Sequence, residues 1–383
     1  SSAAGNIDLG TNGTITDLAV GGLPDGTVDG DSLASTIPAS KLTGALPAIS
    51  GANLTGISSP LSFRNKIING AMQVNQRGTR TAGTSNGYYA CDRWRTFLWD
   101  IGTYTIQQDT DGPEGFRYSL KWDCTTADTS VAAGSRIGVR YIFEGDDLQD
   151  LKYGTSNAES MTLSFWIKST VTGTAAVRFK NLNSGGNKMI GQNVTISAAN
   201  TWEKKTVTIA GDTAAAIEGG NGAEYEIFIF FNAGTTYTSG DAPTSWETYS
   251  DADLAAGANI AINNSTSNNI WLTGVQWEKG TTATEFEYKT YADELRRAQR
   301  YYEKRMTVHQ GYVNAQQHVS VNAIYAVEKR AAATVTWTKT QEGNITGNPT
   351  VNHNKVDGAY SYTTANAAGN FYLYYDYTAD AEL

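Results

Sequence analysis

Residues 161–168 read MTLSFWIK, and this stretch decides the fold class. Every second side chain is apolar, namely Met161, Leu163, Phe165 and Ile167. A period of two is typical of a β-strand that buries one face in a core and turns the other face outward. The outward face carries Thr162, Ser164, Trp166 and Lys168. The stretch therefore predicts one strand of a layered β domain.

Similar runs recur from about residue 59 to residue 290, separated by Gly, Asn and Asp. The predicted strands are Asp92–Leu98, Tyr104–Gln108, Phe116–Trp122, Arg136–Phe143, Met161–Lys168, Ala175–Lys180, Lys204–Ile209, Glu224–Phe231 and Ile270–Trp277. Only Asp146–Lys152 reads as a helical turn between them. Nine strands without alternating helices indicate an all-β, antiparallel two-layer sandwich. We expect Trp122, Trp166, Trp271 and Trp277 to lie in its core.

The two flanking regions have different patterns. Residues 1–58 contain no Trp, Tyr or Phe, and their single small apolar residues stand among Gly, Ser and Thr. Such a segment can bury its side chains against copies of itself, so it predicts an extended, intertwined shaft; a disordered linker is the alternative. Residues 291–305 have helical spacing, and Thr290 can cap the helix. Residues 306–383 return to alternation and predict a small C-terminal β tip domain.

Composition excludes several classes of protein. The 383 residues carry a net charge of −9, which argues against a general nucleic-acid binder because phosphate binding needs excess Lys and Arg. No apolar run approaches the roughly 20 residues of a membrane helix, so we expect no membrane insertion. Two cysteines, Cys91 and Cys124, are too few for a disulfide scaffold or a zinc site. We expect two buried free thiols, with a single bridge as the alternative. Since the sequence opens Ser1–Ser2 without Met, we also expect a fragment of a longer polypeptide.

Two long motifs carry a resemblance to a known family. Residues 61–78 read LSFRNKIINGAMQVNQRG, and YACDRW follows at 89–94. The stretch 269–302 includes LTGVQ, EKG, TATEFE and ELRRAQRYY. Both motifs resemble the β-sandwich domain found near the C-terminus of bacteriophage tail fibres. Residues 202–209 and the strand at Met161 more loosely resemble jelly-roll carbohydrate-binding modules.

This resemblance implies a receptor-binding protein at the distal end of a virion's tail fibre, outside the bacterial cell. It implies a homotrimer joined to the N-terminal remainder of the fibre and the phage tail, which attaches the virion to bacterial surface polysaccharide or lipopolysaccharide. Jelly-roll modules of this kind often hold a structural calcium ion, although no D-x-D-x-D-G loop marks one here. The resemblance implies no other cofactor.

Candidate binding residues follow from the chemistry of sugars. Sugar C–H faces stack on aromatic rings, and sugar hydroxyls pair with Asn, Asp, Gln and Thr. Two stretches hold both kinds of residue, residues 235–257 and the tip. Their aromatic candidates are Tyr237, Trp246, Tyr249, Tyr360, Tyr362, Tyr372 and Tyr374. Alternatively, Trp246 covers the edge of the sandwich and half of the tip tyrosines form subunit contacts.

Catalysis is the competing hypothesis. The three histidines lie in the last 75 residues, and no G-x-S-x-G or H-E-x-x-H motif is present. A glycan depolymerase needs only two carboxylates at a fixed separation. These could come from Asp146, Asp147 and Asp150 or from Asp241, Glu247 and Asp251. Because acidic residues in turns mostly cap or face solvent, we expect a protein that is not an enzyme.

Overall fold

The computed structural model describes residues 63–182 and 187–383. Contacts divide the chain into two units, Ser1–Ile57 and Ser58–Leu383, and every described residue belongs to the second unit. The predicted shaft of residues 1–58 and its trimeric form lie outside the described residues. The shaft therefore stays a prediction.

Strands dominate the described residues up to the longer helix. In chain order they are β1 Arg80–Gly83, β2 Gly87–Tyr88, β3 Arg95–Trp99, β4 Thr103–Asp109, β5 Ser119–Thr126, β6 Arg136–Glu144, β7 Met161–Ser169, β8 Gly173–Asn181, β9 Lys188–Ile196, β10 Glu203–Ile209, β11 Ala223–Ala233, β12 Glu247–Thr248 and β13 Asn269–Lys279. The helical pieces between them are a one-turn α1, Thr235–Thr238, and 3₁₀ turns at Gly145–Leu151, Asp251–Asp253 and Ile262–Asn264. The first of these 3₁₀ turns confirms the helical turn predicted at Asp146–Lys152.

The strands form two antiparallel sheets. The front sheet has the order β1-β4-β5-β13-β7-β10, and the back sheet has the order β12-β9-β8-β11-β6-β3-β2. The jelly-roll comparison uses eight strands, β5 to β11 and β13, renumbered one to eight in chain order. Four neighbouring strands of the front sheet then read 1-8-3-6, and four neighbouring strands of the back sheet read 5-4-7-2. Of the seven connections between successive strands of this set, six cross from one sheet to the other. This is the strand order of a jelly roll. The predicted all-β sandwich is confirmed.

The inward faces of both sheets meet in one core. Met161, Leu163, Phe165 and Ile167 are each 0% exposed, as their spacing predicts. Trp122 and Trp277 are also fully buried in this core. The prediction for Trp166 was wrong, and Trp271 is buried, at 8% exposed, but lies outside the core between the sheets. Both rings project outward from the outer face of the front sheet, because each tryptophan alternates with core residues on its own strand.

A helix connects the sandwich to the tip. Helix α2, Tyr291–Gln299, begins where predicted, and Thr290 Oγ1 accepts a hydrogen bond from Asp293 N at 3.2 Å. It ends before residue 305, because Tyr302 already pairs with Asp380 in a β-sheet. Neither helix in the described part of the chain has the length and apolar character needed to cross a membrane.

The tip is a second, smaller sandwich. Its strands are β14 Tyr302–Val313, β15 His318–Ile324, β16 Thr334–Gly343, β17 Ile345–Asn354, β18 Gly358–Ala365 and β19 Gly369–Asp380. They form two antiparallel three-stranded sheets, β14-β19-β16 and β15-β18-β17. Leu373, Tyr375 and Val321 are fully buried between them. Alternation places Tyr372 and Tyr374 on the opposite, outward face of β19.

The last residues of the chain tie the tip to the jelly roll. Ala381 N donates to Tyr301 O at 2.7 Å. The Glu382 carboxylate pairs with Arg93, which is 1% exposed, and with Arg77 at 3.2 Å. The Arg93 guanidinium also lies 3.4 Å from the centre of the Tyr301 ring. Deleting the tip would therefore leave two buried or half-buried cations of the sandwich without their carboxylate.

Both cysteines are buried free thiols, as predicted. Burial raises the pKa of each thiol, so neither forms a thiolate readily. Within residues 63–182 and 187–383, no group of three or more His, Cys, Asp or Glu side chains is placed to hold a metal ion. Calcium ligands also include backbone carbonyls, so the structural calcium ion stays a prediction.

Candidate functional site

A cleft of about 590 Å³ opens at one end of the front sheet. We call it the tyrosine cleft, and it is lined by Ala71, Gln73, Asn75, Gln108, Gly115, Phe116, Arg117, Tyr118, Tyr288, Lys289 and Tyr291. These residues come from three segments that are far apart in sequence. The volume falls within the range of sites that hold small molecules.

Asn69 and Gln108 fix the segment that carries Gln73 and Asn75. Asn69 Nδ2 donates to Val74 O at 2.9 Å, and Asn69 Oδ1 accepts from Val74 N at 2.9 Å. Gln108 Nε2 donates to Met72 O at 2.6 Å and to Gln73 O at 3.1 Å. Because its backbone is held from both sides, the loop presents its side chains in a fixed arrangement.

Aromatic rings form the opposite wall. Phe116, Phe286 and Tyr288 pack as a triangle with ring centroids 4.9 to 5.4 Å apart. The Tyr288 hydroxyl donates to Gly115 O at 3.1 Å, while 57% of the residue stays exposed. A Cβ on Gly115 would lie 2.7 Å from that hydroxyl, and the φ of Gly115 is +86°, so only glycine suits this close approach. Tyr291, at the start of α2, is 54% exposed.

Polar groups complete the lining. Gln73 lines the cleft, and its amide makes no hydrogen bond within the described part of the chain, so both its donor and its acceptor are available. Asn75 uses its carbonyl oxygen for Gly78 N, at 2.8 Å. Lys289 Nζ lies 2.7 Å from Glu287, and the Arg117 guanidinium lies 5.2 Å from the Tyr118 ring centre. The cleft thus combines ring faces with amides, which suits a ligand that has both C–H faces and hydroxyls.

Three tryptophans extend this surface across the front sheet. Trp202 Nε1 donates to Asp111 at 3.1 Å, and Lys168 Nζ lies 4.3 Å from the Trp271 ring centre. Burial acts to raise the pKa of Asp111, but hydrogen bonds from Lys168 and Trp202 outweigh it and lower the pKa. A Cβ on Gly274 would touch both Phe116 and Trp166, so Trp166 lies next to the cleft wall.

The three candidates from residues 235–257 are half-buried. Trp246 Nε1 donates to Ala210 O at 2.8 Å, and its ring lies 6.2 Å from those of Tyr153 and Tyr225. Tyr237 and Tyr249 pack together against a cluster on the back sheet that includes Phe228 and Leu254. Arg136 donates to the Tyr237 hydroxyl, and Lys180 Nζ lies 3.9 Å from the Tyr249 ring centre. The structure brings Tyr237 and Tyr249 together but places Trp246 in a separate cluster.

The tip candidates occupy two separate surfaces. Tyr360 and Tyr362 lie on the outer face of β18, with His318 4.4 Å from Tyr362 between ring centres. Tyr372 and Tyr374 lie on the outer face of β19, with ring centres 6.2 Å apart. Because β18 and β19 belong to opposite sheets of the tip, the four tyrosines do not form one site.

Three of the six carboxylates considered for catalysis have structural partners. Asp150 lies 2.7 Å from Lys66 Nζ and 3.2 Å from Lys279 Nζ. Asp146 accepts from Gly220 N at 2.6 Å, and Asp251 accepts from the Tyr249 hydroxyl. Asp147 differs, because burial, together with the charge of Glu144, raises its pKa.

The tyrosine cleft was missed because strand periodicity says nothing about loops that meet in space. A signal was nevertheless present, since Gln73 and Asn75 belong to the first quoted motif and Tyr288 lies within the second. The two motifs bind each other. Arg64 donates to Glu285 O at 2.9 Å, and Asn65 N donates to Glu287 at 2.9 Å.

Comparison with known proteins gives structural neighbours only. No protein-family model matches the chain, and no curated protein sequence matches it. A putative sugar-binding protein from Bacteroides thetaiotaomicron is 12% identical, with a TM-score of 0.32, covering 57% of this chain and all of that one. The CBM22-2 xylan-binding domain of Paenibacillus barcinonensis Xyn10C is 12% identical, with a TM-score of 0.27, covering 49% of this chain and 92% of that one. The jelly-roll order of the strands is established by this chain's own pairing.

Proposed function

We propose that this protein binds a saccharide in the tyrosine cleft and does so without chemical turnover. The observation that carries the proposal is the meeting of exposed Tyr288 and Tyr291 rings with the amides of Gln73 and Asn75 around one concave surface. Rings cover the apolar faces of a pyranose, and amides pair with its hydroxyls. A single site of this kind gains a few kcal/mol from each stacked ring.

We further propose that the saccharide is a bacterial surface polysaccharide or lipopolysaccharide, bound by the distal end of a phage tail fibre. The support is the resemblance of residues 61–78 and 269–302 to tail-fibre domains, because those two motifs supply two of the three segments that build the cleft walls. A homotrimer would present three clefts and turn weak single-site binding into stable attachment.

The experiment that tests this proposal is an array of bacterial surface glycans probed with the wild-type chain and single variants. We expect Tyr288→Ala to weaken binding of the best ligand by about 10- to 100-fold, as loss of a hot-spot ring does, and Tyr288→Phe to keep most of it. Trp99→Ala is the matched control, because this aromatic residue is 55% exposed on β3 of the back sheet and does not line the cleft.

The same array separates the cleft from the tip. If Tyr374→Ala abolishes binding while Tyr288→Ala does not, the receptor site lies on the tip and the cleft proposal is wrong. Release of shortened glycan during incubation would instead support a depolymerase.

A further inference from the structure

The back sheet has an unusual concentration of arginines on its outer face. Arg95 on β3 lies directly opposite Arg140 on β6, so two like charges are cross-strand neighbours. Arg136 lies on the same face of β6 as Arg140, four residues earlier along the strand. Side chains directly opposite each other in a sheet have Cβ atoms about 5 Å apart, where like charges destabilise the pairing.

Little negative charge offsets these three arginines. Glu226 on β11 lies 2.8 Å from Arg140. Arg136 donates to the Tyr237 hydroxyl rather than to a carboxylate. Arg95 has no hydrogen bond or ion pair with any described residue; it has a cation–π contact with Tyr88 at 5.8 Å and interacts with the charge of Glu226 at longer range. This part of the back sheet's outer face therefore carries an excess of positive charge, although the net charge of the whole chain is −9.

The three arginines are partly buried, but some of their hydrogen-bond donors have no partner. The Nε atoms of Arg95, Arg136 and Arg140 are all buried and have no hydrogen-bond partner. The side chain of Arg140 is only 15% exposed. Burial lowers the pKa of Arg140. The charge of Glu226 opposes this effect, and the charge of Arg95 adds to it. Buried donors without partners are costly, and an anion bound nearby would offset the poorly compensated charge of these guanidinium groups.

Aromatic rings interleave with the arginines. The guanidinium carbons of Arg136 and Arg140 lie 4.6 and 5.7 Å from the centre of the Phe97 ring. Arg136 also lies 4.7 Å from the Tyr237 ring centre. Tyr88 borders Arg95 on the far side, where its hydroxyl donates to Leu383 O at 2.8 Å. These contacts hold the guanidinium groups in place beside ring faces that can receive a sugar.

We propose that this arginine face, formed by Arg95, Arg136 and Arg140 with Tyr88 and Phe97, is a second binding site that takes a saccharide bearing carboxylate or phosphate groups. It lies on the sheet opposite the tryptophans and is independent of the tyrosine cleft. Guanidinium forks match the paired oxygens of both anions. Its role is to select acidic glycans by their charge.

Calorimetric titration of the full chain at low salt tests the proposal. The probes are hexagalacturonate, its carboxyl-reduced neutral counterpart and inorganic phosphate. We expect hexagalacturonate or phosphate to bind, with a loss of about tenfold or more in Arg95→Gln and in Arg140→Gln, the size of one charged hydrogen bond. Binding of hexagalacturonate assigns the ligand group to carboxylates, and binding of phosphate alone assigns it to phosphates.

Controls keep the two sites apart. Arg80→Gln removes an equal charge from an exposed position on β1 and should leave anion binding unchanged. Inorganic phosphate has no ring face to stack on the tyrosines of the cleft, so its binding tests the arginine face apart from the cleft. Melting curves add a second readout, because Arg95→Gln removes repulsion and should not lower the melting temperature. The proposal is overturned if neither anion binds the wild-type chain, or if Arg95→Gln and Arg140→Gln bind both anions as tightly as wild type does.

Discussion

At the scale of single residues, Asp92 shows how the junction with the tip depends on protonation. This carboxyl is fully buried and accepts a hydrogen bond from Gln76 N at 3.1 Å. Burial raises its pKa to about 7, although hydrogen bonds from Gln76 and the charge of Arg77 oppose the rise. The folded chain therefore holds a proton on Asp92 at a pH where the unfolded chain has lost it.

This raised pKa predicts a pH dependence of stability. Between the unfolded value near pH 4 and the folded value near pH 7, the native state binds more protons, so the Asp92 contribution to stability falls as pH rises. We expect the free energy of unfolding of Asp92→Asn, measured by urea denaturation, to depend less on pH than that of wild type between pH 4.5 and 7.5. Parallel pH profiles for the two proteins would contradict the assignment.

Trp246 permits a second prediction at the same scale. Since its ring packs on Tyr153 and Tyr225 and its indole N–H is satisfied, Trp246→Ala should lower the free energy of unfolding by about 1 to 3 kcal/mol, somewhat less than a fully buried tryptophan costs. Trp99→Ala is the matched control, because Trp99 is 55% exposed and should cost little. If Trp246→Ala keeps full stability but loses glycan binding, then Trp246 is a contact residue as the sequence suggested.

At the scale of elements, sequence predicts strands well where one face is buried and the other is solvated. β7 was predicted for this reason. β9 was not, because segment 235–258 covers part of its outer face, so Met189, Ile190 and Gly191 are buried in succession. β17 was missed because Ile345 and Pro349 are its only buried residues. Periodicity fails where both faces of a strand have the same surroundings.

The C-terminal segment is the element that joins the two sandwiches. Removing one partner of a buried ion pair leaves an unpaired charge, so Glu382→Leu should cost about 3 to 5 kcal/mol of unfolding free energy. Replacing both partners, as in Arg93→Met with Glu382→Leu, should recover much of that loss. A double-mutant cycle by chemical denaturation measures the coupling, and simple additivity of the two costs would show that the pair does not matter.

At the scale of the whole molecule, sequence could not predict the tyrosine cleft. Its walls come from residues 71–75, 108–118 and 288–291, and only the closed jelly roll brings these segments together. Conversely, the fold separates aromatic candidates that lie close together in sequence. Those of residues 235–257 belong to two clusters, and those of the tip lie on two faces of its sandwich. Local composition identifies the kinds of residue that bind sugars but not their arrangement.

The tip also suggests how chains associate. Met306, Val308 and Tyr312 on β14 are 60%, 44% and 71% exposed, and Ile324 on β15 is 72% exposed. Exposed apolar side chains that follow one face of a single strand, as on β14, are typical of association surfaces. We predict that light scattering of the full chain at micromolar concentration gives three times the chain mass, and that Met306→Lys with Val308→Lys lowers it. A monomer mass for wild type would contradict the trimer.

A crystal structure of the chain with the best ligand from the glycan array tests most directly whether the tyrosine cleft holds the saccharide. We expect a sugar ring against Tyr288 or Tyr291, with its hydroxyls on Gln73 and Asn75. A sugar bound only at the outward faces of the tip, against Tyr360 and Tyr362 or Tyr372 and Tyr374, would contradict this expectation.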